Sequence, residues 1–137
     1  MKDMVISLDT NIWIFALRGL NEYCDHILLN HDQFNIVVPQ QVRSELQDNL
    51  SPTHRKEFYK IVEKENIQID YQSVPQHLIE LFYEKGLKKG DAEIGAFCQW
   101  RKIDIFVSDN RDFLKGLSVG HHFRVLSPET FCKKFGI

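Results

Sequence analysis

The sequence predicts a three-layer α/β/α domain built on a central parallel sheet of four to five strands. Three observations carry that prediction. Short apolar runs rich in β-branched residues alternate with longer stretches of helical periodicity. The runs lack strict polar alternation, which marks strands buried on both faces. Strands separated by helices pair in parallel through right-handed crossovers, so helices must cover both faces of the sheet. Residues 1–137 fit one domain of ordinary size.

Each element can be justified in order. Met4-Val5-Ile6-Ser7-Leu8 reads as a buried strand, followed by helical periodicity around Ile12 to Leu17 and again around Tyr23, Ile27 and Leu28. Phe34 to Val38 forms a second strand, ended by Pro39, which suits the start of a helix bearing Val42, Leu46 and Leu50 on one stripe. Ser51-Pro52 opens another helix through Phe58, Ile61 and Val62, and Ile67 to Ile69 is a short extended piece. Pro75 begins a helix with Leu78, Leu81 and Phe82 that stops at Gly86. Gly90-Asp91 starts one carrying Ile94, Ala96, Phe97 and Trp100. Ile103 to Val107 is a third strand and Phe123 to Leu126 a weaker fourth. The last helix has Ser127 as N-cap, Pro128 at its first position and Glu129 against its dipole.

Composition narrows the class. The hydrophobic fraction of 43% and charged fraction of 26% are those of a soluble globular protein. The N-terminus is too short in apolar residues and too acidic for a secretory segment, and no apolar run is long enough to span a membrane. These features predict a cytoplasmic protein without membrane attachment. The cysteines, Cys24, Cys98 and Cys132, are odd in number, widely spaced and set among apolar residues, which predicts buried, reduced thiols. The net charge of −2 decides nothing about nucleic acid, because an acidic metal site subtracts charge from whatever surface surrounds it.

The chemistry lies in the acids. In a parallel sheet, ligands sit beyond the carboxyl ends of the strands. Asp9 ends the first strand, Glu45 lies on the helix after the second, Asp91 is in the first turn of its helix, and Asp109 follows the third strand with Asp112 three residues on. Singly, these are an N-cap, a solvated helix residue, a dipole partner and a turn former. Jointly, they predict a pocket too negative to persist without cations. Hard oxygen ligands in that number suit Mg²⁺ or Mn²⁺ and in-line attack of water on a phosphodiester. Thr10, Asn11, Ser108 and Asn110 stand beside the acids as groups that would orient ligands or water.

Four segments together resemble the PIN-domain nucleases, a Rossmann-like family that includes the VapC-type toxins of toxin–antitoxin pairs. They are Leu8-Asp9-Thr10-Asn11-Ile12, Val42-Arg43-Ser44-Glu45-Leu46, Gly90-Asp91-Ala92-Glu93-Ile94 with Ala96, and Phe106 to Phe113. Leu126 to Phe131 is similar to the tail of many stand-alone members, so the resemblance spans nearly the whole chain. It implies a Mg- or Mn-dependent endoribonuclease with Asp9, Glu45 and Asp91 as metal-site acids. The family's fourth acid usually stands two residues after the Ser or Thr, where this chain has Asn110. Asp109 is the favoured substitute and Asp112 the alternative. The resemblance further implies an RNA substrate, a homodimer and an antitoxin that covers the acidic pocket with a basic side chain.

Arg18, Lys88, Lys89, Arg111 and Lys115 flank these motifs and would hold phosphates on either side of the scissile bond. Trp13 is either a core residue, which its helical spacing favours, or a base-stacking platform. His121-His122 lacks partners at metal-ligand spacing and reads as loop surface. Two other functions compete: a PIN fold that binds RNA or protein without cutting, and a phosphotransfer enzyme with Asp9 as nucleophile. The second wants another aspartate two residues on, where Asn11 stands.

Overall fold

The apolar runs form strands β1 (Val5–Leu8), β2 (Asn35–Pro39), β3 (Gln68–Asp70), β4 (Ile105–Val107) and β5 (Arg124–Leu126). The computed structural model describes residues 3–65, 67–115, 117 and 121–137. The strands make one five-stranded sheet in the order β3-β2-β1-β4-β5, every pair parallel. Helices α1 (Thr10–Arg18), α2 (Glu22–Leu29), α3 (Gln40–Asn49), α4 (Pro52–Lys64), α5 (Gln76–Glu84), α6 (Lys89–Trp100), α7 (Arg111–Leu114) and α8 (Pro128–Phe135) flank it in three layers.

The connections explain where the site falls. From β1 the chain moves outward one way to β2 and β3, then returns past β1 to β4 and β5. The order therefore reverses between β1 and β4, and the crevice outside their carboxyl ends is where such sheets bind ligands. Leu8 pairs with Val107 and Val107 with Leu126, so the residues that follow, Asp9 and Ser108, emerge side by side.

Several boundaries differ from the sequence reading, each for a local reason. Asp104 lies outside β4, yet its carboxylate accepts the Val5 N–H at 2.8 Å, so a side chain extends the β1–β4 ladder. Helix α6 begins at Lys89, ahead of Gly90, with Lys88 as N-cap. The expected turn after β4 is a cap and a short helix. Asn110 takes ordinary extended φ −76° and ψ 123°, and its side-chain oxygen accepts the Asp112 N–H at 2.9 Å. Ser127 caps α8 as expected, accepting the Thr130 N–H at 3.2 Å. Gly86 leaves α5 with φ 104°, a conformation that only glycine adopts without strain.

The core contains Val42, Leu46 and Leu50 of the α3 stripe, and also Cys24, Cys98 and Cys132, all free thiols. Phe106 of β4 is fully buried and packs 4.8 Å from Phe113 of α7 and 6.5 Å from Phe123, measured between ring centres. It thus underlies the loop that carries Ser108 and Asn110. Phe106→Ala is expected to cost about 3–5 kcal/mol of stability. Urea unfolding checks this, and a loss below about 1 kcal/mol would show that the loop does not depend on that ring.

Candidate active site

Asp9 follows β1 directly and caps α1, with its Oδ1 accepting the Thr10 N–H at 2.8 Å. The register sets Ser108 beside it, and the Ser108 hydroxyl donates to Asp9 Oδ2 at 2.7 Å. Asp9 is only 6% exposed. Burial pushes its carboxyl up to about 6, with the charges of Asp91 and Glu45 adding to the rise and the two hydrogen bonds opposing it.

Glu45 comes from α3. Its Oε1 accepts the Thr10 hydroxyl at 2.7 Å and its Oε2 accepts Gln41 Nε2 at 2.8 Å. Asp91 lies in the first turn of α6, where the helix dipole favours a carboxylate. Burial raises its carboxyl all the same, and Glu45 and Asp112 raise it further, while the Asn110 amide and Lys88 pull it down. Asn110 joins these parts. Its side-chain N–H₂ donates to Asp91 Oδ2 at 3.1 Å, and its backbone N–H donates to Ser108 Oγ at 3.0 Å. Asp9 and Asp91 are thereby linked through neutral groups.

One cavity of about 190 Å³ collects the result, lined by Asp9, Thr10, Asn11, Ile14, Glu45, Asn49, Asp91 and Asn110. A larger hollow of about 970 Å³ lies beside α4, and its lining includes none of these carboxylates. Asp109 does not join them. It is exposed, and its charge is felt instead by Cys24, whose thiol is pushed up to about 12 first by burial and then by Asp109. The reason is alternation along the chain leaving β4. Ser108 points in to Asp9 and Asn110 to Asp91, so the residue between them faces away. Asp112 is half-buried and stands outside the cavity lining, acting on Asp91 only through its charge.

Among the predicted cations, Arg18 reaches the carbonyl of Asn49 at 3.5 Å, and Lys88 lies close enough to Asp91 to lower its pKa. Lys89, Arg111 and Lys115 are exposed. Trp13 is wholly buried and perpendicular to Phe58, ring centres 5.0 Å apart, so it belongs to the core and stacks no base. His121 is half-buried, with Nδ1 2.7 Å from the Phe123 carbonyl oxygen, while His122 is exposed. Sequence reading missed Gln41 and Asn49. Both were recoverable, because they sit one helical turn before and after Glu45.

A family model for the PIN domain matches residues 6–116. The chain belongs to the PIN-domain family. Solved structures share the fold at low identity. VapBC2 from Rickettsia felis, bound to a DNA fragment from its promoter, matches at TM-score 0.68 and 16% identity over 90% of this chain and 98% of that one. DNA-bound VapBC from Salmonella typhimurium matches at 0.64 and 15%, over 91% and 98%. PAE2754 from Pyrobaculum aerophilum matches at 0.58 and 14%, over 97% and 96%. Comparison with curated protein sequences gives no match.

Within this PIN domain the acids share a cavity without closing into a cage. Among the described residues no three His, Cys, Asp or Glu side chains converge closely enough to hold a metal ion by themselves. Also among the described residues, no helix is long and apolar enough to cross a membrane.

Proposed function

We propose that this PIN domain is a Mg²⁺- or Mn²⁺-dependent endoribonuclease that serves as the toxin of a toxin–antitoxin pair. The observation that supports this reading best is the shared cavity. Asp9, Glu45 and Asp91 line it together, and Asp9 is held near pKa 6 because burial and its acidic neighbours disfavour its charge. A bound cation would reverse that penalty.

The donor set fits such an ion. All available ligands are oxygens, and Mg²⁺ takes one or two carboxylates while keeping several waters, so a three-residue cage is not required. Asp9, Glu45 and Asp91 would hold it. When bound, it supplies Lewis acidity at the scissile phosphate and a more acidic water. The protein's own part is orientation. Thr10 and Ser108 fix the two oxygens of Asp9, Thr10 and Gln41 fix those of Glu45, and Asn110 fixes Asp91. Asn11 and Asn49 line the same cavity and offer amide donors that would contact phosphate oxygens without neutralising the acids. Arg18, Lys88, Lys89, Arg111 and Lys115 would carry the flanking phosphates.

The VapBC neighbours support an antitoxin partner, and the acidic cavity would accept a basic side chain from it. The cytoplasm and a homodimer complete the proposal. The test is cleavage of single-stranded and structured RNA by purified protein with Mn²⁺, against the same protein in chelator. Absence of cutting together with absence of Mn²⁺ binding would favour the non-catalytic reading, which draws on Asn110 occupying the place of an acid. A phosphotransfer role for Asp9 is disfavoured, since Asn11 stands where such a site wants a second aspartate.

The cations carry their own prediction. Lys88→Ala with Lys89→Ala should weaken RNA binding at every sequence and lower the slope of log affinity against log salt by about 1.4. Fluorescence anisotropy between 50 and 200 mM salt (about fourfold in ionic strength) measures it. An unchanged slope would remove both lysines from the RNA path.

A further inference from the structure

Glu45 lines the cavity, and Gln41, one turn before it on α3, stands outside the lining. Gln41 Nε2 donates to Glu45 Oε2 at 2.8 Å, and the Thr10 hydroxyl donates to Oε1 at 2.7 Å. Each carboxylate oxygen therefore has one neutral donor and retains a lone pair for another partner. The pair is pressed against bare backbone on α6. A Cβ at Gly90 would lie 2.8 Å from Glu45 Oε2 and 3.2 Å from Gln41 Nε2. The first distance is shorter than real Cβ contacts, so the two side chains fill the space that any larger residue at position 90 would take. Gly90 immediately precedes Asp91.

We propose that Gln41 is a positioning residue for Glu45, and that the bare Cα of Gly90 is the wall that lets this pair approach Asp91. The inference rests on the metal-site reading above. A glutamate left free samples several rotamers, and that freedom is lost when it takes up an ion. An amide donor removes it beforehand. A lysine or arginine at position 41 would also restrain Glu45, but it would neutralise the carboxylate and compete with a divalent cation. Glutamine restrains the group and leaves its charge intact. Outer partners that orient a metal-binding carboxylate are worth about 10- to 100-fold in metal affinity.

The test is calorimetric titration of Mn²⁺ into the full chain, with thermal melting of the metal-free protein alongside. Gln41→Ala and the near-isosteric Gln41→Met should each bind Mn²⁺ about tenfold more weakly, with melting temperatures close to wild type. In a Glu45→Ala background, Gln41→Ala should cost nothing further, because the residue it positions is gone. Gly90→Ala should weaken binding as well, since its methyl group would displace the ends of the Glu45 and Gln41 side chains. Gln41 variants that bind like wild type, or that lose the same factor in the Glu45→Ala background, would overturn the positioning role while leaving the metal site standing. A wild-type protein that binds no Mn²⁺ would overturn the metal reading and this inference with it.

Discussion

Asp9→Asn should abolish cleavage and, at the same time, make the metal-free protein more stable. The two effects share one cause. Asp9 is buried and held near pKa 6 by that burial and by Asp91 and Glu45, so at neutral pH its ionised form is an electrostatic debt of the fold. A carboxyl that titrates near 6 when folded and near ~3.9 when unfolded costs up to roughly 3 kcal/mol once pH exceeds both values. The sign follows directly. Stability from this raised group is full below the unfolded pKa and is lost as pH rises through about 6. Asparagine is neutral and isosteric, and its oxygen can still accept the Thr10 N–H. The variant should therefore gain about 2 kcal/mol at pH 8, a rise of roughly 5–10 °C in melting temperature. The gain should vanish near pH 4. Adding Mn²⁺ should reverse the ranking, since only the wild type gains from the ion. Melting curves at pH 4, 6 and 8, with and without Mn²⁺, give the answer. A variant no more stable than wild type at pH 8 would show that Asp9 carries no such penalty, and retained cleavage would remove it from the site.

Much of the fold could be read from the chain because its strands are buried on both faces. Ile105 to Val107 are apolar without interruption and Val5 to Leu8 are broken only by Ser7, a pattern that suits a parallel sheet covered on both faces. Asp9 and Asp91 were legible for a similar reason: one ends a buried strand and the other opens a helix, positions fixed by topology. Glu45 was harder. Its place beside Val42 and Leu46, together with the resemblance of Val42 to Leu46 to a PIN-domain motif, separated it from a solvated glutamate.

What stayed hidden depended on side-chain direction over very short distances. The choice among residues 108 to 112 turns on which way alternate side chains point after β4, and Asp109 carried the charge but faced outward. Counting from buried Ser108 would have selected Asn110. Gln41 escaped because glutamine brings no charge to notice, although its spacing from Glu45 was visible. Gly90 escaped because a glycine near a helix start reads as a boundary, whereas here it lies inside α6 and makes room for a carboxylate.

Asn110→Asp should have the opposite consequence to Asp9→Asn. Asn110 now spends its side-chain oxygen on the Asp112 N–H and its N–H₂ on Asp91. Aspartate caps a helix as well as asparagine does, so the first bond survives. The second is lost and replaced by a carboxylate facing Asp91, whose own pKa is already raised by burial, Glu45 and Asp112. Losing a hydrogen bond to a charged group and gaining a like charge at similar distance should cost about 2–4 kcal/mol at pH 8 without metal. Because the new repulsion requires both groups ionised, the deficit should shrink as pH falls and protons return to the pair. Divalent cations should do the same work at constant pH. With a further oxygen ligand in place of an amide, Mn²⁺ affinity should rise by tenfold or more, and saturating Mn²⁺ should restore the melting temperature to that of wild type. A variant as stable as wild type at pH 8 without metal, or one with unchanged Mn²⁺ affinity, would show that position 110 lies outside the electrostatic reach of the ion.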